Sequence, residues 1–391
     1  MKEKLINFAI SAPSRIVLSG KDSAAYGKHL VAAALDIRTK LEFRELSESE
    51  GKIIKIDFNR VALQKDIPIE IVESYFFHTN LSEIYYKNPI EFLRYITYFI
   101  TTHGLWSTHD QKFSLQMFFY LFYSMTYDLE RKPFHVQVST NLPAGSGLGS
   151  STSFAVCLAA CFLHWKCLQG GHHISFNDEE LMMIKRYTET CENIMQEDVF
   201  PSIDAEICIR GKIRSHQYVH YESYFADVIN LQKVIKILII QKRLYQTAKK
   251  DRTEQMAHHK FFDSEFDSVI NKFDEIAKSI YNRLDDINNN SNANIFPSRD
   301  YNDLQKDITR NQQLLNEYRL SPPTFNAVWI IANKFGYGAK QTGFGGRFAY
   351  IVLQPDITDA MIDSIKKVYY DARIMTRVAT IDREGVKIDN S

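Results

Sequence analysis

Leu142-Pro143-Ala144-Gly145-Ser146-Gly147-Leu148-Gly149-Ser150-Ser151 is the stretch on which the reading of this chain turns. It follows a strand expected at residues 134–139 and precedes a helix expected over 150–164, so it is a strand-to-helix turn. Three spaced glycines let the backbone fold tightly and approach a ligand. The amides that open the next helix, aided by its dipole, present partial positive charge to whatever sits there. Such a turn is a cradle for phosphate. The two serines at the helix start can cap it, and one can offer a hydroxyl to a magnesium ion. A plain loop with a serine cap needs fewer glycines. The pattern is not a P-loop, because no Gly-Lys-Ser/Thr follows, and it lies too far into the chain for a dinucleotide fingerprint.

Outward from the turn, extended runs over residues 5–11, 15–19, 37–44 and 52–58 predict a twisted sheet near the N-terminus. Helices are expected at about 90–103, 112–127 and 178–196, the last leading into a strand over 205–210. A strong strand at 234–241 opens a second half that is mainly helical, with a polar loop at 288–294 and helices near 301–317 and 322–335. A second glycine-rich turn at 343–346, a strand at 348–353, a helix and a strand near 374–381 follow. The fold class is α+β, and two lobes are expected, residues 1–228 and 229–391, sharing a cleft.

Composition narrows the function classes. Of 391 residues, 45% are hydrophobic, enough for a large core. Lysine plus arginine and aspartate plus glutamate balance at 47 each, so no global field draws the chain to nucleic acid or an anionic membrane. The apolar window 113–127 is shorter than a membrane span and carries polar breaks. The N-terminal MKEKLINFAI lacks a secretion signal, and a cytoplasmic protein is expected. Five cysteines without a CxxC pair argue against a disulfide framework and a zinc site, and Cys157 and Cys161 read as core thiols. His172-His173 and His258-His259 lack ligand spacing to thiol or acidic partners in sequence.

Residues 142–151 resemble the second motif of the GHMP kinase superfamily, whose glycine loop wraps the phosphates of ATP. Two further motifs stand in family order. Residues 12–27, from Ala12-Pro13-Ser14-Arg15 to Tyr26-Gly27, resemble APGKxxLxGEHxVVYG, and Lys340-Gln341-Thr342-Gly343-Phe344-Gly345-Gly346-Arg347 resembles KLTGAGGGG. Between them Pro201-Ser202-Ile203-Asp204 resembles the PSGVD segment. Within the superfamily the joint pattern is most similar to the mevalonate kinases, with Phe58-Asn59 and the run 237–240 as supporting marks. The resemblance spans residues 8–381. It implies a two-lobed GHMP kinase fold, ATP and Mg2+, and phosphorylation of the C5 hydroxyl of mevalonate or of a similar small alcohol; by analogy it also implies a homodimer.

The resemblance also implies roles. Asp204 acts on the acceptor hydroxyl and Arg15, in the family's lysine position, stabilises charge. Ser151 and Glu192 hold magnesium, with Glu197 and Asp198 as rivals to Glu192. Asn59, Thr140, Gly145, Ser146, Gly147, Leu148, Gly149, Ser150 and Ser151 contact ATP. Lys21, Asp22, Thr342 and Gly343 face the acceptor. Four departures stand out: Arg15 for lysine, Asp22 for histidine, Phe344 for alanine and Arg347 for glycine. Arginine keeps charge but not geometry. Asp22 repels a carboxylate unless Lys21 compensates. Arg347 can grip an anion bidentately or fill the cleft. A kinase for another alcohol, and a non-catalytic relative that keeps the fold, are the alternatives these departures raise.

Overall fold

The computed structural model describes residues 5–77, 81–142, 147–196, 203–219, 222–242, 249–289, 299–343 and 347–389. Its strands are β1 (Asn7–Ser19), β2 (His29–Glu45), β3 (Ile53–Phe58), β4 (Leu63–Pro68), β5 (Phe134–Thr140), β6 (Ile213–Val219), β7 (Glu222–Ile229), β8 (Lys236–Gln241), β9 (Lys340–Thr342), β10 (Phe348–Val352), β11 (Met375–Thr380) and β12 (Lys387–Asp389). Its helices are α1 (Ile69–Phe76), α2 (Ser82–Lys87), α3 (Pro89–Thr102), α4 (His109–Thr126), α5 (Ser150–Gly170), α6 (Asp178–Gln196), α7 (Ile203–Arg210), α8 (Lys249–Phe262), α9 (Phe266–Asn289), α10 (Arg299–Glu317), α11 (Asn326–Lys334) and α12 (Asp359–Asp371).

Two sheets organise the chain. The first runs β12-β1-β2-β5-β3-β4, with β6 paired to β2 and β7 to β6. Only β3 and β5 run parallel within it. The second is β11-β8-β10-β9, antiparallel throughout. The chain passes from the first sheet to the second between β7 and β8, and β12 returns to pair with β1. An α+β architecture is therefore observed.

Helix α5 explains how the glycine turn is anchored. Residues 155–162 are completely buried, packed against β1, β2 and α4. Among the described residues it is the one helix long and apolar enough to cross a membrane, and here that apolarity fills the core.

Several elements differ from expectation. The runs 5–11 and 15–19 are one strand, whose register against β2 shifts between Pro13 and Ser14, where proline lacks a ladder donor. Strand β2 begins at His29, not near residue 37. Its start carries Ala32-Ala33-Ala34, poor β formers that are buried because small side chains let layers approach closely. The expected strand over 205–210 is a helix. Its Ile203, Ala205, Ile207 and Ile209 alternate like a strand, yet Glu206 and Cys208 between them are also buried. An element covered on nearly all sides loses the periodicity that would reveal it. All five cysteines are unpaired.

Candidate active site

Arg15 lies on β1, where residues 10–19 are buried. A cation there needs partners. Its backbone N–H donates to Leu148 O at 3.0 Å, and its Nη1 donates to Gly147 O at 2.5 Å. Its Nη2 makes an ion pair with Asp204 Oδ2. Arginine thus joins the glycine turn to the start of α7. Burial works against the guanidinium charge, but the attraction and hydrogen bond of Asp204 outweigh it and raise its pKa. Arg15 Nε is a buried donor with no partner among the described residues, which suits an anionic oxygen.

The turn is shaped around this side chain. Gly149, the N-cap of α5, has φ +76°, and a Cβ there would stand 2.8 Å from Arg15 Cγ. Glycine also leaves the first-turn amides of α5 without a covering side chain, as an anion cradle requires. Replacing Gly149 by alanine is expected to cost about 2 kcal/mol in denaturant melts, from the left-handed backbone and the contact with Arg15. Turnover should fall with it because Arg15 must move. A melt matching the wild type would show that the turn does not depend on that contact.

Gly147 and Gly343 press together: a Cβ built on Gly147 would lie 3.3 Å from Gly343 Cα. The two glycine turns of the sequence therefore meet across the two sheets. Thr342 is buried, and its hydroxyl donates to Val17 O at 3.1 Å, tying β9 to β1.

Glu192, near the end of α6, is 4% exposed. Its Oε1 accepts from Ser151 Oγ at 3.3 Å and from Thr152 Oγ1 at 2.8 Å. Burial and then the charge of Asp204 push its pKa up to about 7, against the hydrogen bonds of Thr152 and Ser151 and the charge of Arg15. Hard oxygens from a hydroxyl and two neighbouring carboxylates, held close without enough positive charge, are a donor set that fits a divalent cation.

A pH prediction follows. The folded pKa of Glu192 lies above the ordinary glutamate value of 4.5, so its stabilising share is complete below that value and is lost as pH rises through about 7. Without divalent cations, Glu192→Gln should be more stable than wild type at pH 8, by up to roughly 3 kcal/mol, and equal to it at pH 5. Thermal melts across that range check this. An unchanged difference across pH would mean Glu192 is ionised in the fold.

The structure thus brings together Arg15, Asp204, Gly147, Leu148, Gly149, Ser151, Glu192 and Gly343. The Leu148 side chain points into the core, and Ser150 heads α5 half-buried. Thr140 accepts at Oγ1 from Leu142 N–H at 3.2 Å and from Thr39 at 3.2 Å, so it braces the entry to the turn. Asn59 is exposed on the 3-10 turn Asn59–Val61. Lys21 and Asp22 are half-buried in the turn after β1. The Arg347 guanidinium lies 5.8 Å from the Phe348 ring centroid. Gly145, Ser146, Glu197, Asp198 and Phe344 lie outside the described residues.

Two functional features escaped the sequence reading. Thr152 makes a shorter bond to Glu192 than Ser151 does; the run of four hydroxyl residues at 150–153 was the available signal. Glu206, buried on another face of α7, meets Lys185 at 3.4 Å, Arg210 at 3.3 Å and Arg214 at 3.5 Å. That cluster orients the helix carrying Asp204, and nothing local in sequence announces it.

A glycine turn opening α5, a buried Arg–Asp pair and an acid–hydroxyl cluster between α5 and α6 suit phosphoryl transfer. Residues 117–206 match the family described as GHMP kinases N terminal domain. The mevalonate kinase of Methanocaldococcus jannaschii is 25% identical, over 88% of this chain and 91% of its own length. That of Dictyostelium discoideum is 24% identical, over 97% and 96%. Among solved structures, the Methanococcus jannaschii mevalonate kinase superposes with a TM-score of 0.66 at 18% identity over all of both chains. The L. major mevalonate kinase in complex with R-mevalonate gives 0.66 at 15% identity over 96% of each. The family match covers residues 117–206, and the relatives that span most of the chain are mevalonate kinases.

Proposed function

We propose that this chain transfers the γ-phosphoryl group of ATP to the C5 hydroxyl of mevalonate, giving ADP and 5-phosphomevalonate. The observation that carries the reading is the Arg15–Asp204 ion pair held against Gly147 of the phosphate-cradle turn. Phosphoryl transfer is chiefly a matter of positioning and charge. Asp204 holds the acceptor hydroxyl and takes its proton as the new P–O bond forms. Arg15, fixed by two backbone bonds, places positive charge beside the transferring group. Ser151 and Glu192, with Thr152 bracing the carboxylate, would hold Mg2+, which when bound supplies charge neutralisation for the nucleotide phosphates.

The first-turn amides of α5, with Gly145, Ser146, Gly147, Gly149 and Ser150, would take the ATP phosphates. Asn59 and Thr140 would flank the nucleotide. Lys21 and Asp22 would face the acceptor, with Lys21 balancing a carboxylate on it. Thr342 and Gly343 would close the cleft from the second sheet. On the same reading the chain is a cytoplasmic homodimer of isoprenoid biosynthesis, its two lobes dividing near residue 228.

The test is ADP release with Mg-ATP, with and without mevalonate. Mevalonate-dependent turnover is expected. A specific observation keeps a second reading open: Asp22 stands where a neutral or cationic side chain would suit a carboxylate substrate. Turnover with an uncharged alcohol but none with mevalonate would select that reading, and absence of nucleotide binding would overturn both.

A further inference from the structure

Far from this site, at the junction of α5 and α6, Cys167, His173 and Glu180 converge. One donor atom from each lies within 4.8 Å of the others. Cys167 Sγ is 3.7 Å from Glu180 Oε1, and His173 Nε2 is 3.2 Å from Glu180 Oε2. All three are partly buried. In a tetrahedral zinc site, bonds of about 2.0–2.3 Å put neighbouring donors ~3.3–3.8 Å apart, and the two spacings, each to a different oxygen of Glu180, lie close to that range.

What surrounds the three residues also fits a metal. His164, 2% exposed, sets its Nδ1 within hydrogen-bond reach of His173 Nδ1. A ligating imidazole needs such an acceptor for its second N–H, which fixes the tautomer and turns the Nε2 lone pair toward the thiol and carboxylate. Glu180 is oriented in turn by the Asn177 N–H at 2.8 Å. Phe8 and Phe176 pack their rings on His164, and Phe176 also packs on His173, which restricts water around the donors.

We propose that Cys167, His173 and Glu180 bind one transition-metal ion of the zinc class, with the fourth position open and His164 as the positioning residue. A thiolate and an imidazole favour such an ion over magnesium, which the all-oxygen cluster at Ser151 and Glu192 suits instead. The ion staples the last turns of α5 to the first turn of α6. Those are the two helices whose opposite ends carry Ser151 and Glu192. The sequence hid the site because its ligands come from a helix end, a loop and a helix start, in C-x5-H-x6-E spacing.

Cobalt titration of the chelator-treated, magnesium-free protein tests this. One equivalent of Co2+ should produce the near-ultraviolet thiolate-to-cobalt absorption band, which Zn2+ then abolishes. Zn2+ should also raise the melting temperature. Cys167→Ser and His173→Gln should lose the band, and His164→Ala should weaken binding roughly 10–100-fold while the fold, read by circular dichroism, is kept. Binding at Ser151 and Glu192 gives no thiolate band, so failure here and failure of the kinase reading are separate results. The proposal is overturned by folded wild-type protein without the band, or by a band that survives Cys167→Ser. If Cys167→Ser does not fold, the wild-type titration with His173→Gln decides.

Discussion

Asp204→Asn should reduce turnover roughly 10²–10⁴-fold while ATP affinity changes only a few-fold. The substitution keeps the side chain's shape and leaves an oxygen for Arg15 Nη2, so the link between β1 and α7 persists. What disappears is the negative charge that orients the acceptor hydroxyl and receives its proton. Asp204→Ala should lose as much turnover and also leave the guanidinium of Arg15, on a side chain only 6% exposed, without its counter-charge. Comparing the two variants separates chemistry from scaffolding: equal turnover losses with unequal melts are expected. The measurement is the initial rate of ADP formation at saturating ATP, beside nucleotide binding by calorimetry. If Asp204→Asn kept a tenth or more of wild-type turnover, the assignment of Asp204 would be abandoned.

How legible the site was depended on how local its signals are. The glycine turn could be read directly, because Gly147 and Gly149 adopt positive φ and sit against Gly343 and Arg15. Steric need of that kind leaves a composition mark in a short window. Ser151 and Glu192 came from the family resemblance, and the structure sets them 3.3 Å apart. The strand-like alternation around Asp204 misled, since a helix buried on most faces shows no polar side. The start of β2 was missed for the opposite reason: Ala32-Ala33-Ala34 carries no strand propensity, and only the packing of layers on both sides makes it extended. Contacts such as Lys185–Glu206 or Cys167–Glu180 join separate elements, so they exist only once tertiary packing does. Resemblance supplied the order of motifs; geometry alone could supply the partners.

Arg15→Met should be the most damaging single change to both stability and turnover. It removes the cation that pairs with Asp204 and attracts Glu192, whose pKa burial and then the charge of Asp204 already push up to about 7. Breaking a largely buried pair by deleting one member costs about 3–5 kcal/mol, chiefly because the remaining charge is left uncompensated. The loss should be largest at pH 8, where both acids are driven to ionise, and smaller at pH 6. Adding Asp204→Asn to Arg15→Met should recover much of the stability and none of the turnover. Arg15→Lys separates charge from shape. A lysine ammonium is a single point, so it can meet Asp204 or the carbonyl of Gly147 but lacks the planar fork that now reaches both. Gly149 would also face a slimmer side chain than the one its turn accommodates. Lysine should therefore retain most of the stability while lowering turnover by about tenfold, the cost of one misplaced charge-assisted bond. Urea melts of the wild type, Arg15→Met, Asp204→Asn, their double variant and Arg15→Lys at both pH values, with rates measured alongside, give the full cycle. Should Arg15→Met melt with the wild type at pH 8, the pair contributes nothing to the fold; should it also turn over normally, Arg15 has no part in the chemistry.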